Sequence, residues 1–261
     1  MGLRVATWNV NSLNARLPLV EEWFAECSPD VVCMQETKLA DEAFPYMAFG
    51  ALGYEVAHHG EGRWNGVAIA SRVGLDDVVA GFDDGDGDGE ARILAATCGG
   101  VRVTSVYVPN GREVGHDQWH HKLAWMERLR KRAAADAAGP APAIIGGDYN
   151  IAPDDRDVWD AAKVHGSTHV THEERSALAA VLNEGYVDTF RRHHDEAGLF
   201  SWWDYQRGDF HKRRGMRIDL LLTTADLAER SSWALVDRNA RYPSRKPSDH
   251  APVVIEFDHG R

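Results

Sequence analysis

The residues best suited to chemistry sit where apolar runs stop. At 144–151 the chain reads I-I-G-G-D-Y-N-I, an apolar run that ends in two glycines and then offers a carboxylate, Asp148, and an amide, Asn150. The run reads as a buried strand, and the glycines let backbone approach something closely as the chain leaves the sheet. A period of two puts Asp148 and Asn150 on one side. Taken alone, the stretch is equally an ordinary strand-to-turn sequence, because Asp and Asn side chains bond their own backbone in turns. Other apolar runs end in the same way. W-N-V-N delivers Asn9 and Asn11, M-Q-E-T-K delivers Glu36, and S-V-Y-V-P-N delivers Tyr107. R-I-D-L-L-L carries Asp219 inside an apolar strand, and P-S-D-H-A-P sets Asp249 and His250 just before the last strand. A large sheet gathers its strand ends along one edge, so these groups are expected to share a cleft.

Such a cleft has a definite chemical character. Carboxylates and amides are hard oxygen ligands, which suit Mg²⁺ or Mn²⁺ and not zinc. A buried Asp219 requires a cationic or donor partner. His250 would meet that need, and as an imidazolium held by Asp219 it could serve as acid, base or charge stabiliser. No Ser or Cys nucleophile elbow is present. Two basic segments lie near these strands: Arg207, Lys212, Arg213, Arg214 and Arg217, then Arg238, Arg241, Arg245 and Lys246. They are interleaved with Trp202, Trp203 and Tyr205. Cations match phosphate, and aromatic rings match bases or a sugar. The combination points to metal-assisted hydrolysis of a phosphoester within a nucleic acid. The net charge of −11 speaks against a chain wrapped in nucleic acid, but is compatible with one local basic face.

The elements that must position these groups follow an alternating pattern. Strands are expected over 3–10, 30–35, 54–57, 66–71, 91–98, 101–108, 142–145, 217–222 and 253–257, with helices over 13–27 and 116–137. T-H-E-E at 171–174 is a capping box opening a helix to about 183. The acidic stretch 81–90, G-F-D-D-G-D-G-D-G-E, imitates the start of a calcium loop, but Ala95 stands where a bidentate Glu is required and no helices flank it, so an acidic hairpin loop is expected. His58 and His59 are adjacent on a strand and cannot both enter one site, which places them at the surface or a rim. Three cysteines (Cys27, Cys33, Cys98) without C-x-x-C spacing argue against a disulfide framework and a structural zinc site, and fit a reducing cytoplasm. No apolar run is long enough to span a membrane. Residues 1–10 carry one Arg and run straight into a strand pattern, unlike a signal peptide. With 261 residues there is room for one large domain or two small ones.

W-N-V-N (8–11), Q-E-T-K (35–38), Y-V-P-N-G (107–111), G-D-Y-N (147–150), F-S-W-W-D-Y (200–205), G-M-R-I-D (215–219) and S-D-H-A-P (248–252) occur in the order and spacing of the exonuclease III family of abasic-site endonucleases. The resemblance spans nearly the whole chain. It implies one domain over 1–261, an α/β four-layer sandwich of two mixed β-sheets packed face to face with helices outside, and a monomer. It implies Glu36 as the main metal ligand with Asn9 beside it, and Asp249 completing or adjoining the metal site. Asp148 resembles the residue that orients or deprotonates the attacking water, Asn150 the group that holds the phosphate or that water, and His250, supported by Asp219, the stabiliser of the charged phosphorane. Tyr107 would contact the scissile phosphate. Trp202, Met216 and Ile218 would wall a pocket for an extruded abasic sugar, and Arg112 lies in a loop that some members insert into the duplex. Asn11, at the substrate side, stands where some members have Asp. The implied substrate is double-stranded DNA with abasic sites or with recessed or blocked 3′ ends. A related phosphatase for a small molecule or lipid headgroup would share the metal core but would not need W-W-D-Y or the basic segments. A catalytically dead DNA-binding relative would have lost some of the acids or the His, and none is lost.

Overall fold

The computed structural model describes residues 2–87, 89–205, 208–242 and 246–258. Twelve strands form among them: β1 Leu3–Asn9, β2 Val31–Gln35, β3 Glu55–His59, β4 Val67–Ser71, β5 Asp76–Ala80, β6 Ile93–Cys98, β7 Val101–Tyr107, β8 Ala143–Asp148, β9 Tyr186–Asp188, β10 Asp219–Thr224, β11 Ser231–Val236 and β12 Val253–Phe257. Seven α-helices accompany them: α1 Leu13–Cys27, α2 Tyr46–Ala51, α3 Asp117–Ala137, α4 Ala161–Val164, α5 His172–Leu182, α6 Asp209–Lys212 and α7 Ala225–Glu229.

The strands make two six-stranded sheets, ordered β11-β12-β1-β2-β4-β3 and β5-β6-β7-β8-β10-β9. Each is mixed, because β1–β2 and β7–β8 pair in parallel and their neighbours antiparallel. The central strands are apolar on both faces, which is why they read as continuous runs instead of alternating ones. In β2, Val31 and Cys33 face the second sheet, whereas Val32 and Met34 face α1. In β10, Leu221 enters the core between the sheets and Leu220 and Leu222 pack under α3 and α5. Three apolar layers between four structural layers result, as the resemblance implies. Gly146 serves this packing at the functional end: a Cβ there would stand 2.8 Å from Leu221 Cδ2 and 3.2 Å from Cys33 Sγ.

The helix at 13–27 and the last strand form as the spacing predicts, and the Thr171–Glu174 capping box opens α5. Strands β5, β9 and β11 are not evident from the sequence. β5 is a mostly exposed edge strand broken by Asp77 at φ 49°, β9 has three residues, and β11 follows a short helix with little alternation. One expectation about histidines is corrected. The His58 side chain is fully buried, not at a rim, with Nε2 2.8 Å from Thr37 Oγ1 and Nδ1 2.9 Å from Asp41 Oδ1.

Candidate active site

Topology brings the polar strand ends to one place. β1 and β2 run parallel with Asn9 opposite Gln35, so Asn9 and Glu36 leave the first sheet side by side. β7 and β8 run parallel with Tyr107 opposite Asp148, and β10 enters antiparallel with Asp219 opposite Asp148. β12 begins beside the end of β1, which places Asp249 and His250 at the same edge. Because the sheets pack face to face, these ends meet across the sandwich.

The contacts are dense. Asn9 donates its side-chain amide to Glu36 Oε1 at 2.8 Å and to Asp148 Oδ2 at 2.9 Å, tying the two sheets together. Its oxygen turns away to accept from the Asn11 backbone at 3.0 Å. His250 Nδ1 lies 2.9 Å from Asp219 Oδ2, and its Nε2 lies 3.8 Å from Asp148 Oδ2. Ser201 Oγ accepts from the Ile218 and Asp219 amides at 3.1 Å and fixes the start of β10. The cleft at this edge has a volume of about 180 Å³ and is lined by Glu36, Tyr107, Asn110, Asp148, Asn150, His169, Trp202, Ile218, Asp249 and His250.

Asn150 lies beyond the strand at φ 49°, so the period-two argument does not itself carry it into the cleft. It enters because the turn closes on the strand end. Its backbone amide donates to Asp148 Oδ1 at 2.9 Å, and its side chain donates to Val108 O at 3.0 Å. The turn reading and the functional reading therefore describe one geometry. Glu36 and Lys38 also take positive φ, of 53° and 54°. That backbone lets the Lys38 ammonium fold back to within 2.8 Å of Glu36 Oε2 while donating to Asn11 Oδ1 at 2.7 Å.

Electrostatics separate the roles of these groups. Burial would make the His250 imidazolium a stronger acid, but Asp219 and Asp148 outweigh it and push the group up to about 10. Burial pushes the Asp148 carboxyl up to about 7, against His250 and the donated hydrogen bonds. Burial also acts on Glu36, yet Lys38 and Asn9 hold its carboxyl below the usual range. The Tyr107 phenol is driven well up by burial and by the Glu36 charge, so it remains a hydrogen-bond donor.

The predicted residues take distinct places. Glu36, Tyr107, Asp148, Asn150, Trp202, Ile218, Asp249 and His250 line the cleft. Asn9 and Asp219 are wholly buried behind it. Asp249 faces Asn11 Nδ2 at 2.9 Å and Trp202 Nε1 at 3.1 Å. Met216 packs with Val158, Ile218 and Trp202 behind the wall. Arg112 is exposed on its loop, with its amide donating to Asn110 Oδ1 at 3.1 Å. Glu36, Asp148 and His250 offer potential ligand atoms within 4.8 Å of one another. The donor set fits a hard divalent cation, and the Lys38 ammonium against Glu36 shows that this carboxylate attracts positive charge. With Asp249 on the same cleft, Glu36 and Asp148 make the edge rich in carboxylate oxygens.

The basic segments are corrected in part. Arg217 is wholly buried between Asp157 and Asp188, with Nε 2.7 Å from Asp157 Oδ1 and Nη2 2.7 Å from Asp188 Oδ2, so it is closed to phosphate. Arg241 donates to Ser248 O and stacks over Phe210 at 4.9 Å. Lys212, Arg213, Arg214 and Lys246 remain exposed, whereas Arg207 and Arg245 lie outside the described residues. Sequence reasoning did not assign Lys38, Asn110 or His169. The first two stand inside quoted motifs, where the charge beside Glu36 and the amide after Tyr107 were available signals. His169 occupies a loop with no pattern around it.

Comparison with known proteins agrees with this arrangement. Residues 6–250 match the Endonuclease/Exonuclease/phosphatase family. The chain is 33% identical to exodeoxyribonuclease III of Haemophilus influenzae, covering 98% of this chain and 100% of that protein. It superposes at a TM-score of 0.96 and 36% identity on a Neisseria 3′ phosphatase, NExo, bound to a product DNA hairpin, covering 98% and 100% of the two chains. An AP endonuclease from Archaeoglobus fulgidus superposes at a TM-score of 0.94 and 36% identity, with the same coverage. With the match extending over nearly its whole length, the chain belongs to the Endonuclease/Exonuclease/phosphatase family.

Proposed function

We propose that this chain is a monomeric, divalent-metal-dependent DNA-repair phosphodiesterase. It cleaves duplex DNA 5′ to abasic sites and clears blocking groups and nucleotides from 3′ ends. The observation that carries the reading is the linked set Asp219–His250–Asp148–Asn9–Glu36, a histidine between two carboxylates joined through an amide to a third, gathered at one cleft. Glu36, with Asn9 beside it and Asp249 completing or adjoining the site, would hold Mg²⁺, with Mn²⁺ as a substitute, and the ion would supply Lewis-acid neutralisation of phosphoryl oxygens. Asp148, raised toward neutrality, accepts a proton from the attacking water. The His250 imidazolium stabilises the charge that develops on the phosphorane, and Asp219 keeps it protonated. Asn150 and the Tyr107 hydroxyl donate to the phosphate. Trp202 and Ile218 form the wall for a sugar, which is cheap to extrude from a duplex when it carries no base. The exposed Lys212, Arg213 and Arg214 supply cations for the DNA backbone.

One feature favours a narrower reading in which 3′-end processing exceeds internal incision. His169 lines the cleft together with Trp202 and Ile218, its Nδ1 2.5 Å from Asn150 O, and would compete with an extruded internal sugar for that space. A terminal 3′-phosphate makes no such demand. The test uses two duplexes, one with an internal tetrahydrofuran and one with a 3′-phosphate at a nick, each with Mg²⁺ or EDTA. Comparable rates support the broad reading. Fast phosphate release with slow incision, and incision restored by His169→Ala, supports the narrower one. Inertness on both DNAs, with turnover of a small phosphoester, would replace the proposal with a small-molecule phosphatase.

A further inference from the structure

Behind the catalytic loops lies an ion pair that the proposed chemistry does not use. Lys122 on α3 and Glu174 on α5 are both wholly buried, with Nζ 2.5 Å from Oε1. A buried pair is weak evidence for stability, since desolvation of two charges offsets their attraction. Its placement suggests another role. Lys122 Nζ donates to Asn150 O at 2.7 Å and to Asn110 O at 3.3 Å. These carbonyls belong to the turns after β8 and after β7, the two loops that deliver Asn150 and Asn110 to the cleft.

The rest of the network has the same orientation. Thr168 Oγ1 donates to Asn110 O at 3.2 Å and is 3.0 Å from Glu174 Oε1. Glu174 Oε2 accepts from the Thr171 amide at 3.1 Å and its hydroxyl at 2.8 Å, so the carboxylate that anchors Lys122 is itself fixed by the helix cap. Asn110 Nδ2 then meets Asn150 Oδ1 at 3.2 Å across the two loops. Asn150 holds a left-handed backbone, φ 49°, which Asn adopts more readily than most residues. Its amide is held by Asp148, and its carbonyl by Lys122 and His169.

We infer that Lys122, anchored by Glu174, is a positioning residue that locks the Asn110 and Asn150 turns in the geometry the cleft requires. The inference rests on the phosphodiesterase reading for its kinetic consequence only. Its role is indirect, since Lys122 touches no reacting atom.

The test uses the double variant Lys122→Met/Glu174→Gln, which removes both buried charges and keeps a side chain able to close the helix cap. Hydrogen exchange of the turns at 108–112 and 148–152 is read without substrate, and kcat and KM are read on the 3′-phosphate duplex. The expected result is faster exchange in both turns, kcat lower by about tenfold or more, and KM within about threefold, because misplacement of a catalytic group is costly even without lost binding. A folded double variant with wild-type exchange and wild-type kcat would overturn the inference. Should the double variant not fold, Glu174→Gln alone carries the test: it keeps the Lys122 donors but removes their anchor, so exchange in both turns should rise, and unchanged exchange overturns the inference. Wild-type protein inert on DNA would count against the proposed function, leaving the positioning role to be decided by exchange.

Discussion

Asp219 Oδ2 on β10 and His250 Nδ1 in the segment leading into β12 meet 2.9 Å apart at the floor of the cleft, with the carboxylate wholly buried. This contact, with Asp148 behind it, favours the His250 imidazolium and raises it to about 10 although burial opposes the charge. Asp219→Asn removes the negative charge, and burial then favours the neutral imidazole. Turnover should fall on the order of 10²-fold near neutral pH, the size of a lost charge-stabilising donor. The deficit should shrink as the medium is acidified, because protonation of His250 recovers. A rate–pH profile of both proteins checks this, and a deficit independent of pH would contradict it.

Lys38 is the internal counter-charge of Glu36 at 2.8 Å. A divalent ion binding to Glu36 has to share that carboxylate with the ammonium. Lys38→Met should therefore tighten Mn²⁺ binding by about tenfold, since one unit charge at this range is worth a few kcal/mol at intermediate dielectric before side-chain rearrangement. Titration of free Mn²⁺ by its electron paramagnetic resonance signal measures the affinity directly. Unchanged or weaker binding would remove Lys38 from the metal account.

His58 gives a stability prediction with a definite sign. Burial pushes its pKa down from 6.5 to about 4, although Asp41 acts in the other direction. Between these values the unfolded chain takes up a proton that the folded chain refuses, so this group's contribution to stability is lost as pH falls from 6.5 to about 4. The loss is on the order of 1–3 kcal/mol. His169, lowered to about 4 by burial and Lys122, behaves alike. The slope of unfolding free energy against pH in this window should be shallower in His58→Gln than in the wild type. Denaturant unfolding at several pH values reads the slope, whatever the variant's absolute stability.

Gly146 tests the face-to-face packing. Its missing Cβ would press on Leu221 and Cys33 from opposite sheets. Gly146→Ala should destabilise by about 1–3 kcal/mol, the usual range for overpacking. Thermal unfolding measures it, and a neutral effect would mean the sheets separate more easily at this end than their packing implies.

Much of this arrangement was legible in the chain because both faces of the central strands are buried. Runs such as V-V-C-M in β2 and I-D-L-L-L around β10 therefore stand out, and a polar residue at their ends is conspicuous. Asp148, Glu36 and His250 were found in this way. β5 and β11 were hidden because edge strands need little apolar sequence. Arg217 was misread because a cation in a basic run looks solvated, whereas Asp157 and Asp188, far away in sequence, enclose it. His169 and the Lys122–Glu174 pair were invisible for a similar reason: their meaning lies in contacts with Asn150 made through tertiary structure alone.

The most direct measurement follows a labelled duplex carrying an internal tetrahydrofuran and, separately, one carrying a 3′-phosphate, with wild type and Asp148→Asn in Mg²⁺ or EDTA. The account predicts wild-type hydrolysis of at least one substrate in Mg²⁺, loss of that activity in EDTA, and a decrease on the order of 10²-fold or more in Asp148→Asn with DNA binding retained. Hydrolysis that persists in EDTA, or an Asp148→Asn protein as active as wild type, would contradict the claim that this cleft is a metal-dependent phosphoester hydrolysis site.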